Sequence, residues 1–252
     1  MPAPHTTQLP VLALDTATEN IAIGLHTGAE GFSLVAPGGA LASAQLLPQL
    51  SLLLQRAGLV WGDLASIAFG RGPGAFTGLR TACAVAQGLG LGLARPLLPI
   101  DSLLIVAEDA RQQTHSGAES LEVAVAMDAR MDEAYCARYR WSGGHWTALQ
   151  APALCSLPEL AQAWSGLPTQ LLAGTALAAF GARLELPAAW PRLSQEQDRA
   201  GALLRLALQA AQSSAGVDAA DALPLYLRDK VALTTDEREA VKALKSAAAA
   251  SS

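Results

Sequence analysis

The sequence is short of charged residues. Only 15% of its 252 residues are Asp, Glu, Lys or Arg, whereas 51% are hydrophobic, and the formal net charge is -5. An acidic chain without a Lys/Arg-rich run repels polyanions, so direct binding of tRNA or another nucleic acid by this chain alone is not expected. The sparse charge instead predicts a compact protein with much buried or partner-covered surface.

Cysteine and histidine are also scarce. The three cysteines, Cys83, Cys136 and Cys155, lie far apart in the sequence and are odd in number. This pattern argues against a disulfide framework and favours a reducing compartment, the cytoplasm. The four histidines are scattered, no two lie three or four residues apart, and no C-x-x-C occurs. No metal site is therefore predicted.

Motifs of several other classes are missing. The sequence has no G-x-S-x-G and no recognisable Ser/His/Asp layout, so no catalytic residue is predicted. Residues 1–8 lack the basic start and apolar stretch of a signal peptide and are expected to be flexible. The uncharged stretch 81–94 is too short to cross a bilayer, and no membrane segment is predicted.

The rest of the chain is organised around residues 66–95. A strand-type run from Ser66 to Phe69 is followed by closely spaced glycines, and a helical pattern begins near Thr77. Glycines between a strand and a helix let backbone amides approach an anion, which the helix N-terminus also attracts. A tight turn without a ligand is the alternative, because neither G-x-G-x-x-G nor G-x-x-x-x-G-K-[ST] is matched.

Two stretches share one pattern. In each, an apolar strand ends at an aspartate, Asp15 or Asp128, and a polar turn and two further strands follow. We interpret this as an internal duplication, although an unrelated second meander would look the same. Asp15 and the threonines after it could hold a phosphate or a metal-bound water, or could satisfy the amides of the turn. The charged residues after Asp128 either line a shared cleft or form an ordinary hairpin turn.

Two successive helices, over residues 40–57 and 77–94, are predicted with almost no charge. An ordinary surface helix carries a charged face opposite its apolar stripe, so something must cover the second face of each helix. A protein partner is one explanation, and deep burial within this chain is the other. The partner interface is predicted at Leu46, Leu50, Leu53, Leu54, Val85 and Leu89.

Four segments together resemble the TsaB family. They are LDTATE at residues 14–19, FGRGPGAFTGLR at 69–80, AMDARMDEAY at 126–135 and PLYLR at 224–228. The glycine-rich segment is the specific one. The resemblance implies a duplicated, actin-like (ASKHA) α/β fold with two subdomains, each with a mixed sheet and flanking helices. These subdomains would span residues 9–112 and 113–233, followed by a flexible tail at 234–252.

The resemblance also implies a function. TsaB proteins are non-catalytic partners of TsaD, which transfers the threonylcarbamoyl group that makes threonylcarbamoyladenosine in tRNA. This chain would bind TsaD through the helices of its first subdomain, or form a homodimer by itself. The ATPase TsaE would join the complex, and tRNA would bind only through it. No cofactor is expected, but ATP or ADP at the junction with TsaD would contact Gly72, Gly74, Thr77, Gly78 and Arg80.

The chain departs from related actin-like enzymes at two points. Ala17 stands where actin-like ATPases have a glycine, and the metal-binding histidines of TsaD have no counterparts here. Both departures argue against catalysis by this chain alone. The alternative is a stand-alone enzyme, an actin-class nucleotide hydrolase or a glycoprotease-like protein. That alternative rests on the glycine turn and on Asp15.

Overall fold

The computed structural model describes residues 10–114, 119–168, 170–213 and 216–228. The flexible segments predicted at residues 1–8 and 234–252 lie outside the described residues. Two five-stranded mixed sheets organise the described chain, and helices pack on their faces.

The first sheet has the strand order β3-β2-β1-β4-β5. Its strands are β1 (Val11–Asp15), β2 (Asn20–His26), β3 (Gly31–Pro37), β4 (Ser66–Gly72) and β5 (Leu97–Asp101). The first three strands pair antiparallel as a meander, whereas β4 and β5 join in parallel.

The second sheet has the order β10-β9-β6-β7-β8. Its strands are β6 (Ser120–Asp128), β7 (Glu133–Ser142), β8 (His145–Ser156), β9 (Leu171–Ala173) and β10 (Arg192–Leu193). It also consists of an antiparallel meander followed by two parallel strands, so β6 to β10 repeat the arrangement of β1 to β5. The predicted duplicated, actin-like α/β fold is confirmed.

Six α-helices among the described residues surround the sheets. They are α1 (Ala42–Arg56), α2 (Phe76–Leu93), α3 (Ser102–Gln113), α4 (Leu157–Trp164), α5 (Ala176–Phe180) and α6 (Arg199–Gln212). Side chains of β1 alternate between the two faces of its sheet. Leu12 and Leu14 therefore pack against α1 and α2, whereas Val11 and Ala13 pack against α6. Because both faces are covered, β1 is a continuous apolar run.

Helix α6 is late in the sequence but packs on the first sheet. It also contacts α3, which covers one face of the second sheet. Helices α4 and α5 cover the other face of that sheet. The subdomain limits 9–112 and 113–233 stay a prediction. Helix α6 belongs to the second of these ranges, yet its side chains pack in the hydrophobic core of the first sheet.

A buried carboxylate joins α3, α6 and the second sheet. Glu108 on α3 is fully buried, and it accepts hydrogen bonds from Arg111, from Arg205 on α6 and from the Trp146 indole on β8. Burial by itself raises the pKa of Glu108, but the hydrogen bonds from Arg111 and Trp146 more than offset this, so the pKa lies below its usual range.

We expect this carboxylate to make stability dependent on pH. Because its pKa is lower in the folded state, its contribution is present above the unfolded pKa and is lost as pH falls through the folded pKa. Glu108→Gln should cost about 1–3 kcal/mol at neutral pH, and the difference from wild type should shrink as the pH falls below the usual pKa of a glutamate, about 4.3. Urea unfolding across this range measures the effect, and a difference that does not change with pH would contradict it.

Candidate functional site

A cleft of about 650 Å³ is lined by residues of both halves of the chain. The turn after β1 and the start of α2 supply one wall, and the end of β6 with its following turn supplies the opposite wall. Residues 225–228 also line it. The cleft is therefore bordered by the carboxyl ends of β1 and β6, where the two aspartates of the repeated pattern lie.

Asp15, the first of these aspartates, is closed off by its own chain. It is fully buried, and its Oδ1 lies 2.9 Å from Nε of Arg199 at the start of α6. The backbone N–H of Ala17 also donates to Oδ1, and the Ser102 hydroxyl donates to Oδ2. A Cβ at Gly70 would lie 1.6 Å from Oδ2, so only glycine fits there. Each carboxylate oxygen thus has a partner within the protein.

Arg199 carries the compensating charge. Burial by itself lowers the pKa of Arg199, but Asp15 and Glu196 raise it on balance, so the guanidinium stays charged. Asp15 and Arg199 lie 184 residues apart in the sequence. No spacing rule links residues at that separation, and sequence analysis missed Arg199.

The glycine turn packs tightly on the turn after β1. Thr16 donates its hydroxyl to the Gly78 carbonyl at 2.7 Å, and the Ala75 N–H donates to the Ala17 carbonyl at 2.8 Å. A Cβ at Gly78 would lie 1.8 Å from the Thr16 carbonyl oxygen. The small residues bring the two turns together, because the backbone of one turn occupies the space that a side chain of the other would fill. This geometry favours the tight turn without a ligand.

The five residues predicted to contact a nucleotide do not surround one cavity. Only Gly74 lines the cleft. Gly72 and Gly78 are buried by the chain itself, and Thr77 is exposed on α2. Arg80 is also exposed, and its guanidinium lies 4.1 Å from the centre of the Phe76 ring. Within this chain the five residues therefore surround no single cavity, and a nucleotide held between them and TsaD stays a prediction.

Two glycines of α2 provide a matched test of this packing. Gly78→Ala should destabilise the protein by about 1–3 kcal/mol, because its Cβ would overlap the Thr16 carbonyl. At Gly88 an added Cβ would meet nothing within 4 Å, so Gly88→Ala should stabilise the helix by about 0.5–1 kcal/mol. Urea unfolding measures the change in the free energy of unfolding for each variant. If both variants changed it in the same direction, the packing described here would be contradicted.

Asp128, the second of these aspartates, stabilises a turn whose residues have the left-handed backbone conformation. Arg130, Met131 and Asp132 have φ angles of 65°, 57° and 60°, a conformation that costs a non-glycine residue about 1–2 kcal/mol. Asp128 Oδ1 accepts the N–H of Arg130 at 2.7 Å, and the Asp128 N–H donates to Thr175. Asp128 and Arg130 line the cleft. The charged residues after β6 therefore form a hairpin turn that is also part of the cleft wall.

The segment PLYLR at 224–228 joins the two halves. The Leu225 N–H donates to the Arg71 carbonyl at 2.7 Å, and the Tyr226 ring packs on Phe76 with a centroid distance of 5.0 Å. Arg228 donates to the Ala129 carbonyl at 3.0 Å and forms an ion pair with Glu133. This segment therefore connects β4 and α2 to the left-handed turn.

The predicted partner residues fall into two groups. Leu46, Leu50, Leu53 and Leu54 are buried in the core against the first sheet. They are not available to a partner, and this part of the prediction is wrong because the most regular apolar stripe of α1 faces its own sheet. Val85 and Leu89 on α2 are half-buried at the edge of that core.

The outward sides of α1 and α2 are nevertheless apolar. Leu41, directly before α1, is 58% exposed; on α1 Leu47 is 45% and Leu52 38% exposed, and on α2 Leu91 is 80% exposed. We call these four leucines the α1–α2 face. Arg56 and Arg80 are the only charged residues of the two helices. The residues that the structure describes leave these four leucines exposed, so deep burial does not account for them, and exposed apolar side chains of this size are typical of an interaction site.

The histidines of the described chain have local roles or lie at the surface. Nδ1 of His26 accepts the N–H of Gly28 at 3.0 Å, and His145 is exposed at the start of β8. His5 and His115 lie outside the described residues. In the part of the chain that the structure describes, no group of three or more His, Cys, Asp or Glu residues is placed to hold a metal ion. No helix in that part is long and apolar enough to span a bilayer.

Known proteins resemble the chain in sequence and fold. The family model described as "TsaD: tRNA N6-adenosine threonylcarbamoyltransferase" matches residues 41–198. The "tRNA threonylcarbamoyladenosine biosynthesis protein TsaB" of Escherichia coli K12 is 30% identical over 244 residues, covering 88% of this chain and 96% of that protein. The Haemophilus influenzae protein of the same name is 36% identical over 127 residues, covering 50% and 52% respectively. The solved structure "YeaZ from Pseudomonas aeruginosa" superposes with a TM-score of 0.76 at 37% identity, covering 87% of this chain and 100% of that one.

Proposed function

The chain belongs to the TsaB family, and from this premise we propose that it is the non-catalytic subunit of the tRNA threonylcarbamoyladenosine transferase complex, where it binds TsaD and makes TsaD competent. The observation that carries the proposal is the α1–α2 face, whose leucines are exposed on, or directly before, two helices that carry one arginine each. Apolar side chains in this setting are stabilised when a partner removes them from water.

The environment of Asp15 supports a non-catalytic role. An actin-class hydrolase would use this strand-end carboxylate on a metal or a water, but Arg199, Ser102 and Ala17 already occupy both of its oxygens. Freeing the carboxylate would leave the buried charge of Arg199 with Glu196 as its remaining partner, which is costly. The same environment disfavours the alternative of a stand-alone nucleotide hydrolase or glycoprotease-like enzyme.

We propose the rest of the complex from the family. TsaE joins the heterodimer, tRNA is bound only by the assembled complex, and the complex works in the cytoplasm. When TsaD is absent, the α1–α2 face of one copy covers that of a second copy as a homodimer. ATP or ADP, where the complex holds it, lies at the junction with TsaD, which can reach the exposed Thr77 and Arg80 on α2.

Reconstitution of tRNA modification tests the proposal. Purified TsaD, TsaE, ATP, tRNA and threonylcarbamoyl adenylate are combined with and without this chain, and threonylcarbamoyladenosine is quantified. We expect modification only when the chain is present, and no steady turnover of ATP or cleavage of a glycoprotein by the chain alone. Full modification without the chain, or turnover by the pure chain, would overturn the proposal.

A further inference from the structure

Two of the three cysteines meet in the second sheet. Cys136 lies on β7 and Cys155 on β8, and their Sγ atoms are 2.8 Å apart. Carbon atoms in ordinary non-bonded contact lie about 3.5–4.0 Å apart, and sulfur is larger, so the two atoms touch with nothing between them. Both are free thiols in this structure.

The strand register explains the contact. Cys136 lies opposite Ala153, and Cys155 lies opposite Ala134. Because side chains alternate along a strand, these four residues share the face that packs on α4 and α5. The two alanines are small and leave room for the sulfur atoms to meet across the diagonal. A disulfide bond is about 2.03–2.05 Å long, so the sulfur atoms need to approach by only about 0.8 Å.

The two thiols differ in access and in chemistry. Cys136 is fully buried and receives a long hydrogen bond from the Gln150 amide, whereas Cys155 is partly exposed. The hydrogen bond between the two thiols raises the pKa of Cys136 and lowers that of Cys155. Cys155 is therefore the accessible member that ionises first, and Cys136 is the neighbour placed to resolve it.

We propose that Cys136 and Cys155 form a reversible oxidation site whose oxidant is hydrogen peroxide. The Cys155 thiolate attacks one peroxide oxygen, and after protonation this gives Cys155 sulfenic acid and one water. The Cys136 sulfur then attacks the Cys155 sulfur, the S–S bond forms, and the hydroxyl leaves as a second water with the Cys136 proton. Two thiols are oxidised and one peroxide is reduced to two waters. A small dithiol reverses the reaction by thiol–disulfide exchange.

The site is independent of the proposed function. The bond would join neighbouring strands of the second sheet, whereas the α1–α2 face lies on helices of the first sheet. Cys83, on α2, is buried with its thiol against the Ala222 carbonyl, and it serves as an internal control. Formation of the disulfide and binding of TsaD can therefore succeed or fail separately.

Peptide mapping of the purified full-length chain tests the proposal. The folded protein is treated with hydrogen peroxide, then unfolded in urea, alkylated, and digested with trypsin without reduction. We expect the loss of two of the three alkylatable thiols and a linked pair of peptides, 131–138 and 141–183, that dithiothreitol separates. Cys83→Ser should leave this link unchanged, whereas in Cys136→Ser the Cys155 sulfenic acid should be trapped by dimedone.

Two results would overturn the proposal. One is wild-type protein in which Cys136 and Cys155 both remain alkylatable after peroxide. The other is a link that forms no faster in the folded protein than in the chain unfolded in urea. Both measurements use the wild-type chain, so they do not depend on whether a cysteine variant folds.

Discussion

Replacing Asp15 with alanine is expected to remove about 3–5 kcal/mol from the free energy of unfolding, because the buried guanidinium of Arg199 loses its main counter-charge. The total stability of a domain is only about 5–15 kcal/mol, so this single change should bring the protein close to unfolding. The loss also disconnects the end of β1 from the start of α6. Urea unfolding followed by circular dichroism measures the effect.

Two further variants test whether the loss of stability in Asp15→Ala comes from the broken ion pair between Asp15 and Arg199. Asp15→Ala combined with Arg199→Met removes both charges and should recover part of the loss, because neither of the two buried positions then carries a charge. Glu196→Gln removes the second partner of Arg199, which lies nearer the surface, and should cost less than Asp15→Ala. If the double variant were less stable than Asp15→Ala alone, the unpaired charge would not be the cause.

The double substitution Leu47→Glu/Leu91→Glu is expected to weaken the binding of TsaD roughly 100-fold or more, since each substitution places an unpaired charge in an apolar contact. Both side chains are exposed in the isolated chain, at 45% and 80%. The free energy of unfolding of the double variant should therefore stay within about 0.5 kcal/mol of wild type. Titration calorimetry with purified TsaD measures the dissociation constant.

The control for this prediction is a charge placed elsewhere. Thr147 is exposed on β8 of the second sheet, and Thr147→Glu should leave the dissociation constant unchanged. Leu50 is not a useful site, because its side chain is fully buried and a glutamate there would unfold the core. Equal affinity of wild type and the Leu47→Glu/Leu91→Glu variant for TsaD would remove this face from the interface.

Local patterns predicted much of the fold. Each meander is encoded by neighbouring strands and short turns, so the apolar runs that end at Asp15 and Asp128 were enough to predict the duplication. The two-residue strand β10 was missed, because two residues carry no periodic signal. The outer face of α1 was visible in the sequence as Leu41, Leu47 and Leu52, which lie off the main stripe. The helical periodicity identified the apolar stripe of Leu46, Leu50, Leu53 and Leu54, but this stripe is the side of α1 that the first sheet covers.

The site itself depends on pairs that are distant in sequence. Asp15 meets Arg199 because α6 returns to the first sheet, and this return has no local signal. Cys136 meets Cys155 because of the register between β7 and β8. The alternation of apolar and polar residues does not fix this register, because a shift of two residues in either direction keeps the same side chains on the same face. Glycine spacing likewise cannot distinguish an approaching ligand from an approaching backbone, and at Gly78 it is the Thr16 backbone that approaches.

A titration of the tRNA modification assay tests most directly whether this chain acts by presenting the α1–α2 face to TsaD. TsaD is held at a fixed concentration while either the wild-type chain or the folded Leu47→Glu/Leu91→Glu variant is added, and the rate of threonylcarbamoyladenosine formation is recorded. We predict that the wild-type chain raises the rate to a plateau and that the variant gives no increase at the same concentrations. A variant that stimulates TsaD as well as the wild-type chain does would contradict this account.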